Sequence, residues 1–386
     1  MAETIIPQRT QTIPSTPPNK LLGLELVRFI AAVAVLVWHY QHFSYIAGTP
    51  VDLVTDQLPL YGLLRPFYEA GKYGVWVFWC VSGFIFFWRY RDVVFERAMP
   101  GWTFFVFRLS RLYPLHVVTL ILVALLQAIY FRQHGYFFIY QNNDIQHFLL
   151  QFFMASKWGL ESGDSFNGPI WSISVEVLVY VTFFVLLRFV TRSALMNIVV
   201  ILACLNMEGQ FFLCLSFFYA GGLAAIARRS LASAKFPRAI ESAGWIAAAA
   251  VPVLIWLFSP SPQSIDWLFC MACTPLVLFC LSCKITLAAP VQRWLEAAGN
   301  MTYSSYLLHF PLQLLIASGC AMFGSKIPLY ETWFFVAFMA ATLALSYLTY
   351  RYFEAPAQML LRRSLLRGAV APSRPMAMRP PPSPVR

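Results

Sequence analysis

The sequence predicts an all-α, polytopic membrane protein of about ten transmembrane helices with both termini in the cytoplasm. Three observations carry this. Of 386 residues, 59% are hydrophobic and only 12% are charged, which leaves too little polar surface to clothe a water-soluble globule. The apolar residues gather in runs near the ~20 residues a helix needs to cross hydrocarbon. The Lys and Arg residues alternate from loop to loop, as the positive-inside rule requires.

Residues 1–20 are polar and proline-containing with no apolar run. They lack the basic start and hydrophobic centre of a cleavable signal and read as a disordered cytoplasmic tail. Apolar runs then follow near 24–45, 74–90, 104–130, 171–190 and 194–206, and again near 209–227, 243–258, 264–283, 303–323 and 331–352. Charged or Gly/Pro-rich punctuation separates them. Together they form one membrane domain, residues 21–357. The run 194–206 is short for a span, but the alternation of charge favours an even count of helices. Between 131 and 169 lies the longest external loop, in which 145–155 is too short to span and reads as a re-entrant or interfacial helix. Residues 358–386, basic and Pro-rich, read as a cytoplasmic tail suited to an anionic membrane face.

With both termini inside, the 28 Lys and Arg residues all fall on the cytoplasmic side except Arg65, Lys72, Arg132, Lys157 and Lys326. The net charge of +11 therefore encodes topology. A nucleic-acid partner is not expected, because the charges are scattered among apolar helices instead of forming one patch. Two CxxC pairs, Cys270/Cys273 and Cys280/Cys283, resemble a zinc signal. They lie on one helical run and extend over about 20 Å of it, so they cannot converge on one tetrahedral ion. Small core cysteines and no metal are the expectation.

Ionisable residues inside the membrane are costly and are functional candidates by default. Arg28 and His39, eleven positions apart on the first span, project from nearly the same helix face about 16 Å apart. Arg108 and Arg111 set two guanidiniums on one face at the cytoplasmic end of the third span, a pairing suited to phosphate. Asn167-Gly-Pro-Ile-Trp171-Ser-Ile-Ser174-Val-Glu176 places a carboxylate in the first turns of the fourth span. Ser305 and His309 lie near the inner end of the ninth, and Glu354 closes the tenth beside Arg351 and Pro356. Each has a plain structural alternative: Arg28 as an interfacial anchor, Glu176 as an N-terminal helix charge, Glu354 as a local partner of Arg351.

In order along the chain, Arg28 and His39, Ser82-Gly83-Phe84, Arg108-Leu-Ser-Arg111 with Tyr113-Pro114, Trp171-Ser-Ile-Ser174-Val-Glu176, Tyr303-Ser-Ser-Tyr306-Leu-Leu-His309-Phe-Pro311 and Phe353-Glu354-Ala-Pro356 resemble the acyltransferase 3 family from about Leu22 to Pro356. The resemblance implies ten membrane helices and O-acylation of glycans, among them lipopolysaccharide O-antigen, exopolysaccharide and peptidoglycan. It implies the stand-alone form, since the residues after Pro356 leave no room for the soluble esterase-like domain of some relatives. It also implies a bacterial inner (plasma) membrane location. One departure concerns the acceptor: relatives often carry a second acid after the glutamate of the Trp-Ser motif, where this chain has Val177.

Combining residues and resemblance, Arg108 and Arg111, helped by Arg28, bind the phosphates of acetyl-CoA or another acyl-CoA at the cytoplasmic mouth. His39 activates the acceptor hydroxyl as general base or carries the acyl group itself. Glu176 orients the imidazole or binds the sugar, and Ser82, Trp171, Ser174, His309 and Glu354 give substrate or structural support. The expected partners are a glycan or lipid-linked sugar acceptor, acyl-CoA and membrane lipid. Tyr136, Tyr140, Asn142, Asn143 and Trp158 make the external loop a candidate sugar surface. The competing reading is a transporter of a sugar or small metabolite that uses the same intramembrane charges.

Overall fold

The computed structural model describes residues 21–366 apart from 232–233, 259–261, 284 and 286. The predicted tails at 1–20 and beyond 366 lie outside the described residues. The chain is helical nearly throughout: α1 (Leu22–Tyr40), α2 (Tyr61–Ala70), α3 (Gly74–Phe95), α4 (Gly101–His134), α5 (Ile145–Phe152), α6 (Ile170–Phe189), α7 (Ala194–Cys204), α8 (Gln210–Ser230), α9 (Pro237–Phe258), α10 (Pro262–Leu281), α11 (Ala289–Asn300), α12 (Thr302–Met322), α13 (Thr332–Thr349) and α14 (Ala355–Leu366). The strands form a single two-residue antiparallel hairpin, Tyr45 opposite Pro50 and Ile46 opposite Thr49.

Each of the ten predicted runs is a helix. Among the described residues, eight segments are long and apolar enough to cross a membrane, while Ala194–Cys204 and Asp266–Leu281 are apolar but shorter. The helices the runs did not announce are α2, α11 and α14. Their polar faces break up the long apolar stretches on which the span reading relies. α14 runs into the predicted C-terminal tail as far as Leu366.

The chain divides into two compact units. The first comprises residues 1–39, 62–88 and 193–302. Its closest approach is between α3 and α8. A Cβ on Gly83 would lie 1.8 Å from the Phe218 carbonyl oxygen, and one on Gly221 would lie 1.8 Å from that of Cys80. Hydrocarbon gives no hydrophobic drive for helix association, so small residues that allow backbone contact do that work. Phe84, next to Gly83, is fully buried.

The second unit comprises residues 40–61, 89–192 and 303–386. Its core joins α4, α12 and the loop between α4 and α6: Leu120, Val123, Tyr130, Phe138, Phe166, Phe310 and Leu314 are all buried together. The Gln127 amide clamps the loop to α4, donating to the Phe138 carbonyl at 2.8 Å and accepting from its N–H at 2.9 Å. The short helix expected within 145–155 is present as α5, capped by the Asp144 carboxylate on the His147 N–H. α13 passes into α14 through a π-helical turn, Tyr350–Glu354, a distortion often found at functional sites.

Candidate active site

The predicted residues fall in both units. In the first, the His39 Nδ1 lies 2.8 Å from the Val35 carbonyl oxygen. A carbonyl only accepts, so the neutral ring carries its proton on Nδ1 and keeps the basic lone pair on Nε2. Arg28 donates from Nη1 to Glu25 at 2.7 Å and from Nη2 to the Thr302 hydroxyl at 2.9 Å. It thus ties α1 to the start of α12, and Glu25 already balances its charge. Ser82 is half-buried on α3 beside the close-packed Gly83.

The second unit holds the rest. Arg108 donates to the Tyr90 hydroxyl and stands 4.7 Å from the Tyr90 ring centroid. Arg111, one helical turn on, is half-buried and has no hydrogen bond or ion pair among the described residues. Tyr303 donates to the Leu112 carbonyl at 2.6 Å and stands in the electrostatic field of Glu354, Arg111 and Glu176. Three predicted residues therefore gather around a tyrosine to which the sequence reading assigned no role.

Glu354 is buried in the π turn and accepts a 2.5 Å hydrogen bond from the Ser304 hydroxyl. Arg351 bonds the Tyr347 hydroxyl instead, so the local Arg351–Glu354 pair offered as the plain alternative does not form. Ser174 has a structural role: its hydroxyl accepts from the Lys157 N–H and its carbonyl from the Trp158 indole, each at 3.0 Å. Trp171 and Glu176 are half-buried on α6. His309 is fully buried with Nδ1 3.2 Å from the Ser305 carbonyl, and the same logic leaves its Nε2 basic.

In the external loop the two asparagines of the candidate sugar surface bond the loop's own backbone. Asn142 donates to the Ser162 carbonyl, Asn143 donates to that of Tyr140 and accepts from the Phe166 N–H, and Lys157 pairs with Asp164 at 2.9 Å. These side chains shape the loop itself. His147 bonds the Asp144 carboxylate at 2.8 Å, and its Nε2 is 4.0 Å from Glu161. Desolvation lowers the His147 pKa, but the Asp144 and Ser162 hydrogen bonds and the Glu161 charge outweigh it and the net shift is upward. Desolvation raises the pKa of Glu161, and the hydrogen bond from the His147 N–H lowers that of Asp144.

Three buried polar residues stand out beside those expected. His116 Nε2 lies 2.7 Å from the Gln151 carbonyl, Gln151 donates to Ser165, and Asn167 donates to the Leu307 carbonyl at 3.2 Å. In each case the donor is engaged, whereas His116 Nδ1, Gln151 Oε1 and Asn167 Oδ1 have no partner among the described residues. They are acceptors, and hydroxyl groups are the matching donors. An intramembrane histidine at 116 was a legible signal that the reading of the third span passed over. Gln151 and the role of Asn167 depend on the folded loop.

Apolar helices of membrane-crossing length, with the buried ionisable side chains they carry, define an integral membrane protein. The family model for the acyltransferase 3 domain matches residues 21–351, and the chain belongs to that family: it is a membrane acyltransferase. Comparison with curated proteins and with solved structures gave no match.

Proposed function

We propose that this protein transfers an acyl group, acetyl in the first instance, from cytoplasmic acyl-CoA to a hydroxyl of a cell-surface or exported glycan, in a bacterial inner membrane with both termini in the cytoplasm. The observation that carries this reading is the tautomer of His39. With Nδ1–H held by the Val35 carbonyl, Nε2 is the ring nitrogen that carries the lone pair and takes the proton. The acceptor oxygen attacks the thioester carbonyl, a C–O bond forms and the C–S bond breaks. The hydroxyl proton passes to His39 Nε2 and from there to the departing thiolate. In the variant with an acyl-His intermediate, Nε2 attacks first, a C–N bond forms and the C–S bond breaks to release the thiolate; the acceptor hydroxyl then takes the acyl group as the C–N bond breaks, and its proton goes to the thiolate.

Arg108 and Arg111 bind the donor's phosphates. Arg28 joins them in that role only if its guanidinium re-pairs, since Glu25 and Thr302 engage it. Glu176, close to Tyr303, serves the acceptor. The acceptors on His116, Gln151 and Asn167, which have no donor among the described residues, suit a ligand rich in hydroxyl or N–H donors, a carbohydrate among them, over a carboxylate.

The test is transfer of labelled acetyl from acetyl-CoA to glycan in membrane vesicles of known orientation, wild type against His39→Ala at equal expression. A general base is worth about 10²–10⁴-fold, so label should be nearly abolished in the variant. Equal transfer by both proteins would refute the role of His39.

A further inference from the structure

α14 follows the matched family region, which ends at residue 351, and packs along α4. Its Arg362 donates from Nε to the Ser110 hydroxyl at 3.0 Å and from Nη2 to the Phe107 carbonyl at 3.3 Å, with its guanidinium carbon 5.0 Å from the Phe107 ring centroid. Phe107 and Ser110 are the residues immediately before Arg108 and Arg111. The charged and titratable groups acting on Arg362 are Arg108, Tyr90 and Arg111, with no carboxylate among them. Trp102 fixes the same helix by donating to the Leu365 carbonyl at 3.2 Å.

Three guanidiniums thus gather at the end of α4. Arg362 and Arg111 have no carboxylate partner among the described residues, and Nη1 of Arg362 has no hydrogen-bond partner there. Like charges held together and half-buried repel one another, and an anion with several oxygens relieves that repulsion. Arginine forks match phosphate oxygens; Arg108 is held by the Tyr90 hydroxyl and ring, and Arg362 by the Ser110 hydroxyl, the Phe107 carbonyl and the Phe107 ring.

We propose that Arg362 is the third member of a phosphate-binding cluster with Arg108 and Arg111, recognising the phosphorylated nucleotide end of an acyl-CoA. The inference rests on the acyl-CoA reading above and adds a specificity-determining residue from outside the family region. An anionic lipid headgroup offers the same phosphate chemistry, and the experiment separates the two sources.

Full-length wild type, Arg362→Gln and Arg362→Lys are placed in phosphatidylcholine nanodiscs and assayed with acetyl-CoA and with acetyl-pantetheine, which lacks the nucleotide phosphates. Arg362→Gln should raise KM for acetyl-CoA by about tenfold, the worth of one charge-assisted hydrogen bond. It should leave kcat, and both constants for acetyl-pantetheine, unchanged, and Arg362→Lys should recover part of the loss. An equal loss with both donors makes Arg362 a structural pin of α14 and overturns the proposal, as does no loss with either. Thermal stabilisation by added phosphatidylglycerol that disappears in Arg362→Gln, with KM for acetyl-CoA unchanged, assigns the cluster to lipid and also overturns it. If wild type transfers nothing from either donor, displacement of a fluorescent CoA analogue by CoA is read instead. Binding weakened by Arg362→Gln supports the cluster while the acetyltransferase reading fails; equal binding by both proteins sinks the cluster itself.

Discussion

Pro311 sits inside α12 and has no N–H, so the carbonyl four residues earlier, Leu307, loses its helical partner. The Asn167 side chain supplies the replacement, donating from Nδ2 at 3.2 Å. Asn167→Ala should leave that buried carbonyl without a donor and cost about 1–3 kcal/mol. In a Pro311→Ala background the new N–H at 311 closes the ordinary i→i−4 bond, so the same substitution should then cost no more than ~0.5 kcal/mol, the scatter of independent sites. The coupling between the two positions should therefore be about 1–2 kcal/mol. It can be read from a double-mutant cycle of detergent unfolding followed by tryptophan fluorescence. The Asn167 Oδ1 has no partner among the described residues, so truncation removes only the donor interaction and the cycle isolates it. Equal penalties for Asn167→Ala in the two backgrounds would refute the argument that Asn167 answers the proline.

Gly83→Ala should destabilise the protein by about 3 kcal/mol or more, the upper range of overpacking, because its Cβ would lie 1.8 Å from backbone and not from a flexible side chain. Gly319→Ala on α12, with nothing within 4 Å of the added carbon, should stabilise by roughly 0.5–1 kcal/mol through helix propensity; similar melting shifts for the two would overturn the backbone-contact reading of Ser82-Gly83-Phe84. The external loop should loosen as pH rises. The raised His147 pKa stabilises the fold fully below the unfolded value of about 6.5 and less as pH climbs through the folded value, and the raised Glu161 pKa acts in the same sense above about 4.3. The lowered Asp144 pKa supports the fold above about 3.9 and is lost only as pH falls through its folded value. Hydrogen exchange in residues 144–165 should therefore quicken between pH 6 and 8 beyond its intrinsic pH dependence, and the excess should vanish in His147→Gln; protection that already lacks any excess in wild type would contradict this.

The spans were legible because a helix in hydrocarbon must be both long and apolar, a constraint written along the chain itself. The candidate residues were legible for the converse reason, that a charge or imidazole within such a run is costly and stands out. The same logic missed α2, α11 and α14, whose polar faces resemble loops in composition. It did not reveal that the amides of Asn142 and Asn143 bond the backbone of their own loop, because local sequence does not show which groups folding brings together.

By itself the sequence determined the all-helical membrane class, the order of the ten apolar helices, the family motifs and the presence of His39, Arg108, Arg111 and Glu176 on apolar helices. Only the tertiary structure decided the tautomer of His39, the pairing of Arg28 with Glu25, the Asn167 donor that answers Pro311, the gathering of Glu354, Arg111 and Glu176 about Tyr303, and the place of Arg362 beside Arg108. Periodicity and hydropathy are local properties, set by neighbours a few positions away. Hydrogen-bond partners and clustered charges join residues hundreds of positions apart, as Arg28 and Thr302 are, 274 apart, and they exist only once the chain has folded.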